Sequence, residues 1–484
     1  MKKMNLLVMS LVSAAALSFS SCSNNDDLTG GGAGSQSQVK GFYMTLAVQT
    51  PTSNGTRTAQ SNETAATKAE SDVTSGTLYL VDAKGEVAFS KNISAAEWEA
   101  SKIPTQGQAG KTQIQIQVEK VAAGATYKVY FLANTTDAKP WENILTATSK
   151  FADPFVKANN FAMFNQNDAT TNGNGYTVTF TDANKVETTP AKVMYNEVES
   201  PIKIERVTAR VDVPTSTENL LGEYPTNASQ ALKNAIDDAK KKVTKIELVR
   251  YALSNVTNKA YVMQNWNVAN NVWSLAIPTG ATLSQTKDAF GEKYLLKDGG
   301  FKALKGAKND YIFENNMSDA TAMYFEYKVT LDANQFKNAA GELMPADFQD
   351  GTFYRYNNVI YTSFAQIIED YKGVPNFFED KNASTMKAEL DNAINDDTKL
   401  AEFREKYNIE VFKGGKTYYK QVIKDKHIAG IIQRNSIYRL TVNNIFNVGA
   451  QVPNGEPTEN AYYYLNVTVT VNPWVLNEDN VNLQ

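Results

Sequence analysis

The sequence predicts a mainly β protein made of two β-sandwich domains with short helical insertions. Short runs of alternating apolar and polar residues recur along the chain between turn residues, a pattern typical of half-buried strands. Gly, Asn, Thr, Val and Tyr are frequent, and this mixture combines turn formers with residues that favour strands. With 484 residues the chain exceeds what one ordinary core supports, so we expect two domains after a leader.

Composition narrows the possible functions. The net charge of −4 argues against a nucleic-acid partner, since phosphate binding needs concentrated Lys and Arg. One Cys (Cys22) and one His (His427) exclude an internal disulfide and a Cys/His zinc site. A catalytic triad would depend on His427, which has no nucleophile motif beside it, so a packed or solvated imidazole is the simpler interpretation. We therefore predict no enzyme activity, no cofactor and no metal.

Residues 1–21 are predicted to be a secretory signal. Two lysines precede an apolar run, Leu6 to Leu17, that is too short to span a bilayer stably. The run ends in two serines and Cys22, which resembles a bacterial lipobox in which the thiol is acylated, although Phe19 stands where Leu is usual. We expect a lipid anchor at Cys22 followed by a Gly-rich tether. The alternative is a cysteine beside an ordinary cleavage site.

A separate strand follows the tether. Phe42, Met44, Leu46 and Val48 alternate with other residues at the period of a half-buried strand. Residues 50–68 then carry almost no apolar side chains and are expected to be exposed. Arg57, the first arginine of the chain, lies in this stretch, where an Arg-specific protease could cut before Thr58. The alternative is a linker with an incidental arginine.

The body of the chain is predicted to divide into domains at 58–215 and 216–484. In the first we expect a hairpin turning at 82–85, a capping box at 94–97 that opens a short helix, and strands at 113–118, 127–132, 176–180 and 202–213. We expect a helix at 228–241, close to the boundary between the two domains. In the second we expect strands at 243–253, 324–331, 410–412 and 418–423, with helical insertions at 363–371 and 384–406.

The end of the chain has the clearest strand pattern. Leu465, Val467, Val469 and Val471 face one way, polar and aromatic residues face the other, and the run carries no charge. Such a strand would be an aggregation hazard as an open edge. It could close its own sheet, or, carried on the Pro- and Gly-containing arm at 451–460, it could be a donor strand that completes the sheet of another molecule.

Taken together, these segments resemble the fimbrillin family, the shaft subunits of type V pili of anaerobic Gram-negative bacteria. The sequence looks most similar to the major subunit of the short, minor-type fimbriae. The segments that carry the resemblance are 77–81 with Gly85, 127–134, 200–213, 413–419, 434–438 and 467–474. The helical insertions between 280 and 405 have no counterpart in this pattern.

The resemblance implies two transthyretin-like β-sandwich domains and export as an outer-membrane lipoprotein. It implies that an Arg-specific surface protease removes a propeptide, 22–57, whose plug strand carries Phe42, Met44, Leu46 and Val48. The mature chain would then start at Thr58. It would polymerise into a cell-surface fimbrium through a donor strand carrying Leu465, Val467, Val469, Val471 and Trp474, and the fimbrium would serve adhesion. The implied partners are other copies of the chain and accessory tip and anchor subunits, and the sequence does not identify a receptor.

Other functions remain open at this point. A tip subunit needs no donor strand, and an anchor subunit keeps its leader. A glycan-binding surface lipoprotein would carry exposed Trp and Tyr platforms, whereas Tyr and Trp here mostly lie in strand patterns. A hydrolase lacks candidate catalytic residues.

Overall fold

The protein is represented by a computed structural model, which confirms the mainly β fold class. It describes residues 41–50, 64–65, 68–103, 111–134, 147–148, 156–157, 160–166, 176–186, 196–197, 201–216, 224–269, 272–284, 300–375, 378, 381–423, 431–453 and 465–475. The described helices are short. They are α1 (Lys68–Ser71), α2 (Ala95–Ala100), α3 (Gln230–Lys242), α4 (Phe364–Asp370), α5 (Ala383–Ala393) and α6 (Asp397–Tyr407).

Strands account for most of the remaining regular structure. Through the first part of the chain they are β1 (Phe42–Gln49), β2 (Thr64–Ala65), β3 (Gly76–Val81), β4 (Val87–Ile93), β5 (Lys102–Ile103), β6 (Lys111–Val118), β7 (Thr126–Ala133), β8 (Ala147–Thr148), β9 (Val156–Lys157), β10 (Asn160–Phe161), β11 (Met163–Asn165), β12 (Thr177–Thr179), β13 (Asn196–Glu197) and β14 (Ile202–Arg206).

The second part continues the same pattern. Its strands are β15 (Ala209–Val211), β16 (Thr215–Ser216), β17 (Val243–Ser254), β18 (Val256–Thr257), β19 (Lys259–Ala260), β20 (Trp266–Ala269), β21 (Val272–Leu275), β22 (Leu283–Ser284), β23 (Lys302–Ala303), β24 (Asp310–Ile312), β25 (Ala322–Leu331), β26 (Phe353–Tyr356), β27 (Val359–Tyr361), β28 (Glu410–Phe412), β29 (Lys416–Val422), β30 (Ser436–Ile445) and β31 (Leu465–Val475).

The first sheet has ten strands and folds over its own core. Its path runs β4-β3-β7-β11-β14-β1-β6-β5, with β12 paired to β7 and β13 paired to β1. One core contains Ile114 and Ile116 of β6 together with Leu80 of β3 and Phe131 of β7, although these strands lie towards opposite ends of the path. The sheet therefore forms two facing layers, and β14 joins them by pairing with β1 at its start and with β11 farther on.

The chain leaves this sheet within the segment predicted to be one long strand, 202–213. The structure divides that segment at Val207 and Thr208. β14 stays in the first sheet, while β15 pairs with β24 and β30 in a second sheet of order β2-β31-β30-β15-β24. The chain thus passes from the first sheet to the second before residue 215, where the domain boundary was predicted. The alternation of apolar and polar residues does not reveal this change of sheet, because β14 and β15 both place every second side chain in a core, although the two cores differ.

The second sheet shares a core with a four-stranded sheet, β23-β17-β25-β29. The predicted helix ahead of β17 is confirmed as α3. The side chain of Ser229 caps it by accepting a hydrogen bond from the backbone N–H of Leu232 at 3.2 Å. One face of this helix is buried and carries Leu232, Ala235, Ile236 and Ala239.

The helical insertion forms a small unit with its own core. α4, α5 and α6 pack on a three-stranded sheet, β27-β26-β28, through buried aromatic and aliphatic side chains. The rings of Tyr354 and Phe364 stack with centroids 4.3 Å apart. The single helical stretch expected at 384–406 is two helices, because Asp396 caps a new helix with hydrogen bonds from the backbone N–H groups of Thr398 and Lys399.

Candidate functional site

β1 is an internal strand of the first sheet. It pairs antiparallel with β6 over its whole length, from Phe42 opposite Val118 to Gln49 opposite Lys111. On its other side it runs parallel to β14, with Val48 opposite Ile202, and to β13. The strand that the sequence set apart from the body therefore lies between two body strands.

The side chains of β1 fill the core of the first sheet. Phe42, Met44, Leu46 and Val48 are 4%, 0%, 0% and 1% exposed and belong to the core cluster that includes Ile114 and Ile116. Burying four such side chains stabilises the fold by about 6–12 kcal/mol in total, at about 1.5–3 kcal/mol each. A chain without β1 would expose this core and leave the facing backbone groups of β6 and β14 without partners.

An aromatic pocket marks the start of β1. The ring of Phe42 lies 5.4 Å from the ring of Phe180, which in turn lies 6.0 Å from the ring of Tyr127. Gly41 precedes the pocket with φ +90°, and a Cβ there would lie 2.4 Å from the carbonyl oxygen of Val118. Only glycine fits this backbone path, so Gly41 fixes where the strand begins.

The terminal strand lies elsewhere in the described structure. β31 pairs antiparallel with β30 of its own chain, from Leu465 opposite Ile445 to Pro473 opposite Ser436, and touches β2 at Trp474 and Val475. The segment that contains Leu465, Val467, Val469, Val471 and Trp474 is thus a strand of the second sheet. The structure does not bring it next to β1. Its donor role stays a prediction.

The other predicted site residues, Cys22, Arg57 and Thr58, lie outside the described residues, as does His427. Lipidation and cleavage stay predictions. Within the part of the chain that the structure describes, no helix is long and apolar enough to cross a membrane. Over the same residues, no group of three or more His, Cys, Asp or Glu side chains is placed to hold a metal ion.

A buried ionic cluster connects the start of the body to the second sheet, and the sequence analysis missed it. The carboxylate of Glu70 accepts hydrogen bonds from Arg210 at 3.1 Å and from the hydroxyl of Tyr311 at 2.9 Å. Its backbone carbonyl accepts one from Arg206 at 2.7 Å. Burial lowers the pKa of Arg206 to about 9, against the opposing attraction of Glu70, so the guanidinium stays charged at neutral pH. The sequence signal that could have revealed this cluster was the presence of Arg206 and Arg210 inside the predicted strand 202–213.

A second buried ion pair joins two residues that are far apart in the sequence, Glu314 and Arg434. Arg434 and Glu314 are bridged at 2.8 Å, and their side chains are 0% and 2% exposed. Arg434 also donates to the carbonyl of Val262 at 2.6 Å, and Glu314 accepts from Gln264 at 2.6 Å. These bonds compensate two charges that would otherwise be costly to bury.

Two segments of the chain are similar to families of fimbrial subunits. Residues 42–206 match the family model of the major fimbrial subunit protein (FimA). Residues 410–480 match the model of the major fimbrial subunit protein type IV, fimbrillin, C-terminal. The resemblance to the fimbrillin family that the sequence predicted is therefore confirmed. The first match begins at Phe42, so it includes all of β1.

Solved structures of low sequence identity also resemble the chain. A proposed cell adhesion protein from Parabacteroides distasonis is 12% identical, with a TM-score of 0.46, over 91% of this chain and 99% of that chain. A fimbrial assembly protein from the same organism is 12% identical, with a TM-score of 0.28, over 60% and 98%. A proposed cell adhesion protein from Bacteroides uniformis is 9% identical, with a TM-score of 0.30, over 89% and 98%. No curated protein matches the sequence.

Proposed function

We propose that this chain is a structural shaft subunit of a fimbrium. It is exported as an outer-membrane lipoprotein anchored at Cys22, cut after Arg57 and polymerised by exchange of its C-terminal strand, and the filament serves adhesion. The observation that supports this most is the position of β1. An internal strand of the core, paired with β6 over its whole length, lies on the N-terminal side of the predicted cleavage site.

This position gives proteolysis a direct physical effect. While the chain is intact, β1 occupies its place between β6 and β14 as part of the same molecule, at a high effective concentration that excludes a strand from another chain. A cut between Arg57 and Thr58 leaves β1 held only by non-covalent contacts. Once β1 leaves, the first sheet has a groove with unpaired backbone groups and an apolar floor, which a strand of suitable pattern can fill.

The terminal strand has the properties that such a donor needs. It alternates apolar and uncharged residues, so it can pair with either its own β30 or a foreign groove without burying a charge. For exchange, β31 must leave β30, and pairing in the groove of a neighbour offsets that loss. Deleting residues 462–484 should therefore give folded monomers that do not polymerise, as checked by electron microscopy and sedimentation.

The test of the whole proposal is a cleavage-site variant. Arg57→Ala should leave a lipidated precursor that forms no filaments, whereas Lys40→Ala, its matched control on the other side of β1, should mature and polymerise normally. Electron microscopy of cell surfaces and the N-terminal sequence of the mature protein report both outcomes. Normal filaments from Arg57→Ala would contradict the proposal. If wild-type cells carry only the uncut lipidated form, the chain is an anchor subunit.

A further inference from the structure

The chain contains 8 arginines and 40 lysines, and the two kinds of basic residue occupy different places. Arg57 is the predicted cleavage site, and the next arginine along the chain is Arg206. The seven arginines of the body all lie in parts of the chain that the structure describes: Arg206, Arg210, Arg250, Arg355, Arg404, Arg434 and Arg439. A protease that cuts after arginine therefore has seven bonds to attack in the body, and the structure shows how each of them is held.

The backbone at these arginines lies in regular structure or in a buried turn. Six of the seven lie in the helix α6 or in the strands β14, β15, β17, β26 and β30, each of which has a partner strand on both sides. The seventh, Arg434, lies in a turn directly ahead of β30 and is 0% exposed. A protease needs an exposed segment that is free of its own pairing, so these bonds become accessible only when the fold opens.

The guanidinium groups are also bonded within the fold. Five of the seven arginines are at most 8% exposed: Arg206, Arg210, Arg355, Arg404 and Arg434. Arg250 donates two hydrogen bonds to Glu326, at 2.9 and 2.5 Å. Arg439, whose side chain is 40% exposed, is bridged to Asp212 at 2.6 Å. An Arg-specific protease must draw the guanidinium into its own pocket, which requires breaking these charge-assisted bonds as well as opening the backbone.

Lysines, which carry the same charge, lie in the exposed turns instead. Among the lysines whose exposure the structure describes, none is buried to the degree of those five arginines. Lys84 is exposed in the turn between β3 and β4, and Lys120 is exposed in the bend between β6 and β7. Lys305 is exposed in a turn closed by a 3.1 Å hydrogen bond from the backbone N–H of Ala307 to the carbonyl of Leu304. Burial of arginine is unusual, so this separation of the two residue types calls for a reason.

Resting on the proposed cleavage after Arg57, we propose that the folded body offers no bond to an Arg-specific protease, so that Arg57 is the one arginine left to cut. Water hydrolyses the Arg57–Thr58 peptide bond, which leaves a carboxylate on Arg57 and an amino group on Thr58. The choice of this bond depends on the fold of the body and needs no recognition sequence around the cut. The maturing protease can therefore stay active on the cell surface without degrading the subunits that it has matured.

The expected selectivity follows from the stability of the fold. Cleavage after a body arginine requires the open form, and folded domains have equilibrium constants for folding of about 1,000 or more. Cuts in the native body should therefore be roughly 1,000-fold or more slower than cuts at an arginine in an exposed turn.

The test places an arginine in an exposed turn without changing the charge. The wild-type full-length precursor and Lys305→Arg are digested under native conditions with an endoproteinase that cuts only after arginine, and the products are identified by mass spectrometry. We expect the wild type to be cut after Arg57 alone. Lys305→Arg should be cut there and also in its turn, which divides the body into 58–305 and 306–484.

An endoproteinase that cuts only after lysine supplies the matched control. It should cut the wild type after Lys305, which shows that the turn is accessible. Arg250→Lys places a lysine in the internal strand β17, and we expect this new lysine to stay uncut by the same enzyme. In urea, cuts after the body arginines should appear at the concentration at which the body unfolds.

Three outcomes separate the possibilities. Native wild-type protein that is cut after a body arginine at a rate close to that at Arg57 overturns the proposal. So does a Lys305→Arg turn that stays whole although the lysine enzyme cuts the wild type there, because the choice of bond would then depend on the sequence around Arg57. A precursor left whole at Arg57, while Lys305→Arg is cut only in its turn, overturns the proposed maturation step and supports the protection of the body.

Discussion

A substitution in β1 should destabilise the precursor and leave the mature protein unaffected. Leu46 is 0% exposed, lies opposite Ile114 and belongs to the core of the first sheet. Leu46→Ala removes its side chain beyond Cβ and leaves a cavity, at a cost of about 2–5 kcal/mol. Since a urea unfolding free energy falls by about 1–3 kcal/mol per molar for small proteins, the midpoint should drop on the order of 1 M.

The assay is urea unfolding of the purified precursor and of the cut protein, followed by hydrogen exchange of the peptide over 111–118. The control is Ile116→Ala, which lies in the same core at 3% exposure but on β6, a strand that stays in the mature chain. We expect Leu46→Ala to lower the midpoint of the precursor alone and Ile116→Ala to lower both. Equal effects of Leu46→Ala on both forms would refute the reasoning, since β1 would then remain in the mature protein.

Three further outcomes are expected. Cys22→Ala should abolish incorporation of labelled palmitate and leave a soluble precursor in the periplasm, and continued labelling would contradict lipidation there. Val469→Asp should abolish filaments in electron micrographs, because an unpaired carboxylate in an apolar groove costs several kcal/mol. Thr470→Asp, on the opposite face of the strand, should keep them. Glu314→Gln should destabilise the folded chain by about 3–5 kcal/mol in thermal unfolding, because it leaves the charge of Arg434 buried without its partner.

Local patterns in the sequence predicted helices and strands well where the structure depends on residues that are close together in the chain. The capping box at Ser94 and Glu97 forms at α2, with the backbone N–H of Glu97 donating to Ser94 and the backbone N–H of Ser94 donating to Glu97. The strand at Phe42 was predicted, together with the face that carries Met44 and Leu46, although Thr45 and Ala47 on the other face are buried too. The cap depends on residues three positions apart and the strand on its local alternation, so both could be predicted from the sequence, whereas the partners of β1 on β6 and β14 could not.

Features that depend on distant partners were not predictable in this way. The alternation at 202–213 gave no sign that β14 and β15 belong to different sheets. The partners of Glu70 and Arg434 are far away in the sequence, and a charged residue in a strand pattern does not reveal whether it is solvated or paired. The insertion was predicted as helical, but its separate core depends on the packing of α4, α5 and α6 on β26, β27 and β28.

The terminal strand shows why its partner was the hardest feature to predict. An uncharged strand with apolar side chains at every second position can pair in any groove that has an apolar floor and two open backbone edges. In the described chain that partner is β30, with Val469 opposite Leu440. The groove occupied by β1 offers backbone pairing to β6 along its whole length and to β14 at one end. The property that lets the strand close its own sheet therefore also lets it leave, and the choice of partner depends on whether β1 still fills the groove of the neighbouring subunit.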